Sequence, residues 1–155
     1  MLMAKKPFPP DLRKLEKTAR SAARNAYAPY SHFRVGAAVR GASGRVYSGC
    51  NVENASYGLC NCAERSAIFA AISSGEKSIT HLFVFTPTST ATTPCGACRQ
   101  VINEFGPRAL VHCICNSNER IVTTLDALLP RAFGHENLDD LPVAGGRRPA
   151  NHPPK

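Results

Sequence analysis

Two short segments of the sequence carry a cysteine at their second position and continue into an apolar repeat of helical period. They are "NCAERSAIF" at residues 61–69 and "PCGACRQ" at residues 94–100. Between them lies "ITHLFVFT", a nearly all-apolar run typical of a central strand that is buried on both faces. Strands that precede two such helices can bring both helix starts to the same end of a sheet, where open α/β sheets usually form ligand sites.

The rest of the pattern predicts a three-layer α-β-α fold with a mixed sheet of about five strands. We expect Asp11 to cap a first helix that ends before Pro29. "FRVGAAVR" and "RVYSGCNV" flank "GASG" and predict a β-hairpin. "ALVHCIC" and "RIVTTL" predict two further strands, and "LDALLP" predicts a short helix. One domain is expected over residues 1–133, followed by a basic, Pro- and Gly-rich tail at 134–155 that we expect to be mobile.

Charge and composition limit the classes of function. The net charge is +8, and many of the basic residues suit the solvated face of the first helix. Aromatic residues do not interleave these charges as stacking platforms would, so nucleic acid is not an expected partner. The sequence has no apolar run near the ~18 residues that span a bilayer and no secretory h-region at its start, which predicts a cytoplasmic protein without a membrane partner. Its seven cysteines are then expected to bind metal or to be buried, rather than to form disulfides.

The spacing of Cys95 and Cys98 is that of a pair of thiolates that bind one tetrahedral zinc. Redox dithiols have the same spacing, and structural zinc sites usually need a second pair, which this sequence lacks. Of the other cysteines, only Cys62 is predicted at a helix start, where unpaired N–H groups favour the thiolate. The remaining four are expected to be small buried residues: Cys50, Cys60, Cys113 and Cys115.

The acid two residues after Cys62 suggests a catalytic rather than a structural metal site. Three protein ligands leave a fourth zinc position open to water, and Glu64 is close enough to reach that water without being a ligand. The alternative is that Glu64 is an ordinary first-turn acid favoured by the helix dipole. Arg65 and two helix N-termini would offset the net negative charge that three thiolates leave on the zinc.

Five motifs, in order along the chain, resemble the small zinc-dependent cytidine deaminases. They are "YSHFRVGAAV", "GCNVENASYGL", "CAER", "PCGACRQ" and "LLPRAF". The resemblance implies one Zn²⁺ per chain, bound by Cys62, Cys95 and Cys98, with Glu64 as the residue that transfers protons. It also implies that Arg65 hydrogen-bonds the ligand thiolates.

The same resemblance implies a nucleoside-binding site that is shared between subunits of a homotetramer. Asn51 and Glu53 match contacts to ribose hydroxyls, and the Ala63 N–H matches a contact to the pyrimidine carbonyl. Phe33 and Phe133 match aromatic residues that pack on the base, although Phe33 alternates with Val35 and could instead belong to the core. The residues that match contacts to a neighbouring subunit's site are Ala55, Tyr57 and Phe133.

The activity that this resemblance implies is hydrolytic deamination of cytidine and deoxycytidine in pyrimidine salvage. Deamination of a cytosine-bearing antibiotic related to blasticidin is a second possibility, which the full "NVENASYGL" motif disfavours. A non-catalytic zinc fold or an RNA-binding relative is a third, which Glu64 and the lack of aromatic platforms disfavour. Cys60 and Asn61 stand where many relatives carry a threonine and an apolar residue, so Cys60 is an alternative thiol ligand.

Overall fold

The computed structural model describes residues 7–139. The elements are, in chain order, α1 (Pro10–Ala23), β1 (Gly36–Gly41), β2 (Val46–Cys50), a 3₁₀ turn (Tyr57–Leu59), α2 (Ala63–Ser73), β3 (Ile79–Phe85), α3 (Gly96–Phe105), β4 (Leu110–Ile114), β5 (Arg120–Thr124), α4 (Leu125–Leu128) and α5 (Glu136–Asp139). The predicted α/β fold with a mixed five-stranded sheet is confirmed. In this part of the chain, no helix combines the length and the apolar character that crossing a membrane requires.

The sheet has the strand order β2-β1-β3-β4-β5. Strands β3 and β4 are parallel, whereas the other neighbouring pairs are antiparallel. The apolar strand β3 lies at the centre, as its sequence predicts, and pairs with β1 on one side and β4 on the other. The α3 helix forms the crossover between the parallel strands, as a parallel connection requires.

The two faces of the sheet carry two apolar clusters. Successive residues of β1 point to opposite faces, so that Ala38 packs under α1 while Ala37 and Val39 pack under α2. The α1 face also contains Leu15, Ala19, Ala23, Phe83, Phe85 and Ile114. The opposite face, which supports the site described below, contains Ala63, Ala67, Ile68, Ala71, Leu82, Val84, Ile102, Val111 and Cys113. The chain therefore forms three layers.

The backbone of α2 lies directly on β2 at Gly49. A β-carbon at this position would be 2.4 Å from the Ala67 nitrogen and 2.8 Å from the Ala63 oxygen. Both neighbours are helix backbone atoms, which cannot rotate away as a side chain can. Glycine at residue 49 is therefore what allows the first turns of α2 to approach the sheet so closely.

Three details differ from the sequence-based expectations. Pro9 precedes the first turn of α1 and makes no side-chain cap, and Asp11 instead forms an ion pair with Arg40 at 3.2 Å. The apolar pattern of "GACRQVINEF" predicts that Ala97 is buried with Val101, Ile102 and Phe105, but Ala97 is exposed, because Cys98 and Ile102 define the inner side of α3. Residues 136–139, within the expected tail, form the short helix α5, and residues 140–155 lie outside the described residues.

Candidate metal centre and active site

The cysteines at the two helix starts meet. Cys62 is the N-cap residue of α2, Cys95 is the N-cap residue of α3, and Cys98 lies in the first turn of α3. Their three sulfur atoms all lie within 4.8 Å of one another. The Cys62 and Cys95 sulfurs are 3.8 Å apart. Zinc–sulfur bonds of ~2.3 Å at a tetrahedral angle place two sulfurs about 3.8 Å apart, so the donor set fits a zinc ion.

The electrostatics of the three thiols also favour a cation. Hydrogen bonds from Cys98, Arg65 and Cys95 lower the pKa of Cys62 to about 5. The hydrogen bond to Cys62, together with burial, raises the pKa of Cys98. One thiolate is thus stabilised by protons that its neighbours retain. Because metal ligands must be deprotonated, a divalent cation would replace those protons and relieve the crowding of negative charge.

The Arg65 guanidinium connects the thiol cluster to the segment before α2. Its Nη2 donates to the Cys62 sulfur at 3.5 Å and to the Cys60 carbonyl oxygen at 3.3 Å. The hydrogen bond to Cys62 and the negative charge of that thiolate raise the pKa of Arg65. Arg65 therefore places a positive charge beside the Cys62 sulfur.

Glu64 is buried beside the cluster, with 5% of its surface exposed. Burial raises the pKa of its carboxyl group, and the negative charge of Cys62 adds to the effect, while a hydrogen bond with Cys98 opposes it. An acid that served only the helix dipole would be expected to remain in solvent, where it costs no desolvation. The burial of Glu64 therefore argues against that alternative.

Arg99 fixes the segment that carries Cys95, a role that the sequence pattern did not reveal. Its guanidinium donates to the Pro94 carbonyl at 2.7 Å, to the Thr93 hydroxyl at 3.1 Å and to the Leu128 carbonyl at 2.8 Å. The first two contacts hold the residues immediately before Cys95, and the third connects them to α4. Arginine offers several donors in one plane, which suits this three-way contact.

Asn51 and Glu53 hold the loop of residues 30–35. The Asn51 amide donates to the Phe33 carbonyl at 2.8 Å and accepts from the Val35 N–H at 2.8 Å. The Glu53 carboxylate accepts from two N–H groups and one hydroxyl of this loop. Phe33 is 39% exposed, which disfavours a role in the core alone.

The three residues expected to reach a neighbouring subunit are exposed in the single chain. Tyr57 is 73% exposed and Phe133 is 60% exposed, and Ala55 lies on the same loop as Tyr57. The Phe133 carbonyl accepts from Gln100 at 2.8 Å and from Asn103 at 3.2 Å. Because α3 holds this backbone, the exposed position of the Phe133 ring is not that of a loose chain end.

Cys60 and Ala63 flank Cys62. The Cys60 sulfur accepts from the Asn54 N–H at 3.3 Å, so it is engaged by the loop of residues 54–57 and does not belong to the thiol cluster. Ala63 is fully buried as the first residue of α2, and its N–H is one of the first-turn groups that the helix itself does not pair. Cys113 and Cys115 are buried as expected, whereas Cys50 and Cys60 are only half-buried.

Comparisons with known proteins agree with this geometry. The family model for the cytidine and deoxycytidylate deaminase zinc-binding region matches residues 10–114. The chain is 45% identical over 129 residues to cytidine deaminase of Sporosarcina psychrophila, covering 83% of this chain and 95% of that protein. It is 44% identical over 131 residues to cytidine deaminase of Halalkalibacterium halodurans, covering 84% and 99%.

Solved structures show the same similarity. The crystal structure of cytidine deaminase from Burkholderia pseudomallei matches with a TM-score of 0.75 and 47% identity, covering 78% of this chain and 98% of that one. Cytidine deaminase from Mycobacterium tuberculosis matches with a TM-score of 0.70 and 40% identity, covering 81% and 99%. With the thiol cluster of Cys62, Cys95 and Cys98 as its zinc-binding triad, the chain belongs to the cytidine deaminase family.

Proposed function

We propose that the protein catalyses hydrolytic deamination of cytidine and deoxycytidine to uridine and deoxyuridine, with release of ammonia. The observation that carries this proposal is the position of Glu64, a buried acid in the same helical turn that presents a zinc-binding thiol. The expected physiological role is pyrimidine salvage in the cytoplasm. Similarity to cytidine deaminases over most of the chain supports the choice of substrate.

Cys62, Cys95 and Cys98 would hold one zinc ion per chain. When bound, zinc supplies the Lewis acidity that makes water a nucleophile near neutral pH. Glu64 takes a proton from the attacking water and delivers a proton to N3 of the pyrimidine as oxygen adds to C4. It then transfers a proton to the departing amino group, which leaves as ammonia. Burial raises the pKa of Glu64 toward neutral pH, where one carboxyl group can both accept a proton from water and donate a proton to the substrate.

The nucleoside would be held by groups around this centre. The Ala63 N–H would donate to the pyrimidine carbonyl, and the rings of Phe33 and Phe133 would pack on the base. Asn51 and Glu53 would bind the sugar hydroxyls. The Asn51 amide and the Glu53 carboxylate each retain hydrogen-bonding capacity beyond their contacts with the loop of residues 30–35.

We infer further that the protein assembles as a homotetramer in which Ala55, Tyr57 and Phe133 complete a neighbouring subunit's site. The exposure of Tyr57 and Phe133 supports this, because two large aromatic side chains in solvent are typical of an interaction surface. Light scattering of the purified protein should give the mass of about four chains.

Substitution of Glu64 tests the proposed activity. Deamination of cytidine, deoxycytidine, cytosine and blasticidin would be followed by ultraviolet absorbance, with zinc content measured on the same samples. Glu64→Gln should retain zinc and lose ~10²–10⁴-fold or more in turnover, since one residue serves several proton transfers. Glu104→Gln, which alters an exposed acid on α3, is the matched control and should behave as the unmodified protein. Near-normal turnover by zinc-loaded Glu64→Gln would refute the role of Glu64, and turnover of blasticidin alone would refute the nucleoside substrate.

Mixing two weakened variants tests the shared site. Phe133→Ala and Glu64→Gln chains would be dissociated, mixed and reassembled. Hybrid tetramers should contain some sites that combine an intact Glu64 with a neighbour's Phe133, and activity should partly recover. Verified hybrids without recovery, or a fully active monomer, would show that each chain forms its own complete site.

A further inference from the structure

The carboxylate of Glu53 is held in one orientation by the turn that precedes Phe33. Its Oε2 accepts from the Tyr30 N–H at 2.9 Å and from the Ser31 N–H at 3.2 Å. Its Oε1 accepts from the Ser31 hydroxyl. Three donors from two consecutive residues therefore fix both oxygens of one half-buried side chain.

The Ser31 hydroxyl also contacts the backbone of Phe33. Its oxygen accepts from the Phe33 N–H at 3.0 Å. His32, between the two, has a φ of 56°, in the left-handed region that side chains other than glycine adopt only when the surrounding contacts hold them there. One hydroxyl group thus connects the residue proposed to bind the sugar with the residue proposed to pack on the base.

We propose that Ser31 is a positioning residue for recognition of the nucleoside sugar, acting through Glu53. This inference rests on the proposed function, in which Glu53 binds a ribose hydroxyl. A carboxylate has about four acceptor sites, and the turn occupies three of them. The free site is on Oε1, the same oxygen that Ser31 holds, so the hydroxyl of Ser31 determines where a sugar hydroxyl can donate.

The hydrogen bonds also fix the charge of Glu53. The bond from the Ser31 hydroxyl, followed by those from the Tyr30 and Ser31 N–H groups, lowers the pKa of this carboxyl group. Glu53 is therefore an acceptor only, which suits a sugar hydroxyl that donates. Without the Ser31 hydroxyl, the two N–H contacts would still hold Oε2, but Oε1 would be free to rotate into solvent.

The test compares two substrates that differ only in the sugar. Ser31→Ala should raise KM for cytidine about three- to tenfold, the equivalent of one net hydrogen bond, with kcat little changed. With 2′,3′-dideoxycytidine, which lacks the 2′ and 3′ hydroxyls, the same substitution should lower kcat/KM by a smaller factor than with cytidine, because only the contact between the Ser31 hydroxyl and the Phe33 N–H then matters. In a Glu53→Gln background, Ser31→Ala should have little further effect on cytidine, because the residue through which it acts has already been altered.

Two further variants separate positioning from folding. Ser31→Thr keeps a hydroxyl and should restore KM for cytidine. Ser48→Ala, a matched change at the exposed residue of β2, should leave the turnover of both substrates unaffected. Equal losses on both substrates, additive effects with Glu53→Gln, or a failure of Ser31→Thr to restore KM in a folded, zinc-loaded protein would overturn the role of Ser31. Absence of cytidine turnover by the unmodified protein would instead overturn the proposed function, and this inference with it.

Discussion

From the close contact between α2 and β2 at Gly49, we predict that a larger residue at this position lowers both the stability and the activity of the protein. A methyl group at residue 49 would lie 2.4 Å from the Ala67 nitrogen and 2.6 Å from the Ser66 β-carbon, where ordinary contacts are 3.4–4 Å. The helix and the strand would have to separate by about 1 Å, because the obstructing atoms are on or next to the helix backbone. We expect Gly49→Ala to be destabilising despite the higher strand propensity of alanine.

The size of the effect follows from the cost of overpacking. Inserting a methyl group into a well-packed contact typically costs ~1–3 kcal/mol. For a chain of this length, this corresponds to a fall of roughly 3–10 °C in the midpoint of thermal unfolding. The displaced segment of α2 begins immediately after Cys62 and carries Glu64. A displacement of about 1 Å at catalytic groups can lower turnover about 10²-fold, so activity should fall more than stability alone would explain.

The assay measures thermal unfolding, zinc content and cytidine turnover on the same preparations, at a temperature where every variant is folded. Gly58→Ala is the stability control, because a β-carbon at residue 58 meets no atom within 4 Å. If Gly49→Ala unfolds within a degree or two of Gly58→Ala and keeps normal turnover, the close approach of α2 to the sheet does not position the site.

Three other variants test separate features of the structure. Arg99→Ala should weaken zinc binding about 10–100-fold in a competition assay with a chelator, since it releases the segment before Cys95; unchanged affinity would show that the segment is held without it. Cys60→Ala should retain one zinc per chain, and loss of the metal would mean that the sulfur of Cys60 is a ligand after all. His112 is 3% exposed, and neither of its ring nitrogens has a hydrogen-bond partner among residues 7–139. Burial lowers the pKa of His112 from 6.5 to about 4. The unfolded chain therefore binds a proton on His112 below about pH 6.5, whereas the folded chain binds it only below about pH 4. The free energy of unfolding therefore falls as pH falls through this window. His112→Phe should abolish about 2 kcal/mol of the loss in unfolding free energy between pH 7.5 and pH 5, measured by urea denaturation, and an unchanged pH dependence would exclude His112 as its source.

The elements and the thiol cluster were predictable because their signals are local. The apolar run that predicts β3 spans only a few residues, and so do the cysteine-containing segments that predict the N-termini of α2 and α3. Two helix starts at one end of a sheet then follow from strand and helix connections alone. Cys62 could be selected among five candidates for this reason.

The supporting contacts were not predictable, because they join side chains to distant backbone atoms. Arg99 reaches Leu128 across 29 residues, and Ser31 reaches Glu53 across 22. Neither pairing leaves a periodic pattern or a spacing rule in the sequence. The capping role expected of Asp11 was wrong for a related reason: Arg40, on the neighbouring strand β1, offers that carboxylate an ion pair that a local pattern does not register.

The division of the thiol triad between two helices has a consequence for the order of events during folding. Cys62 and Cys95 are separated by 33 residues, and the whole of β3 lies between them. A chain in which β3 has not yet inserted between β1 and β4 presents only the Cys95–Cys98 pair, which lacks the third thiolate. We therefore expect tight zinc capture to be a late step in folding. In refolding experiments, a zinc-binding signal should therefore appear no earlier than the signal of the assembled sheet, and it would report on the completion of the fold rather than on its beginning.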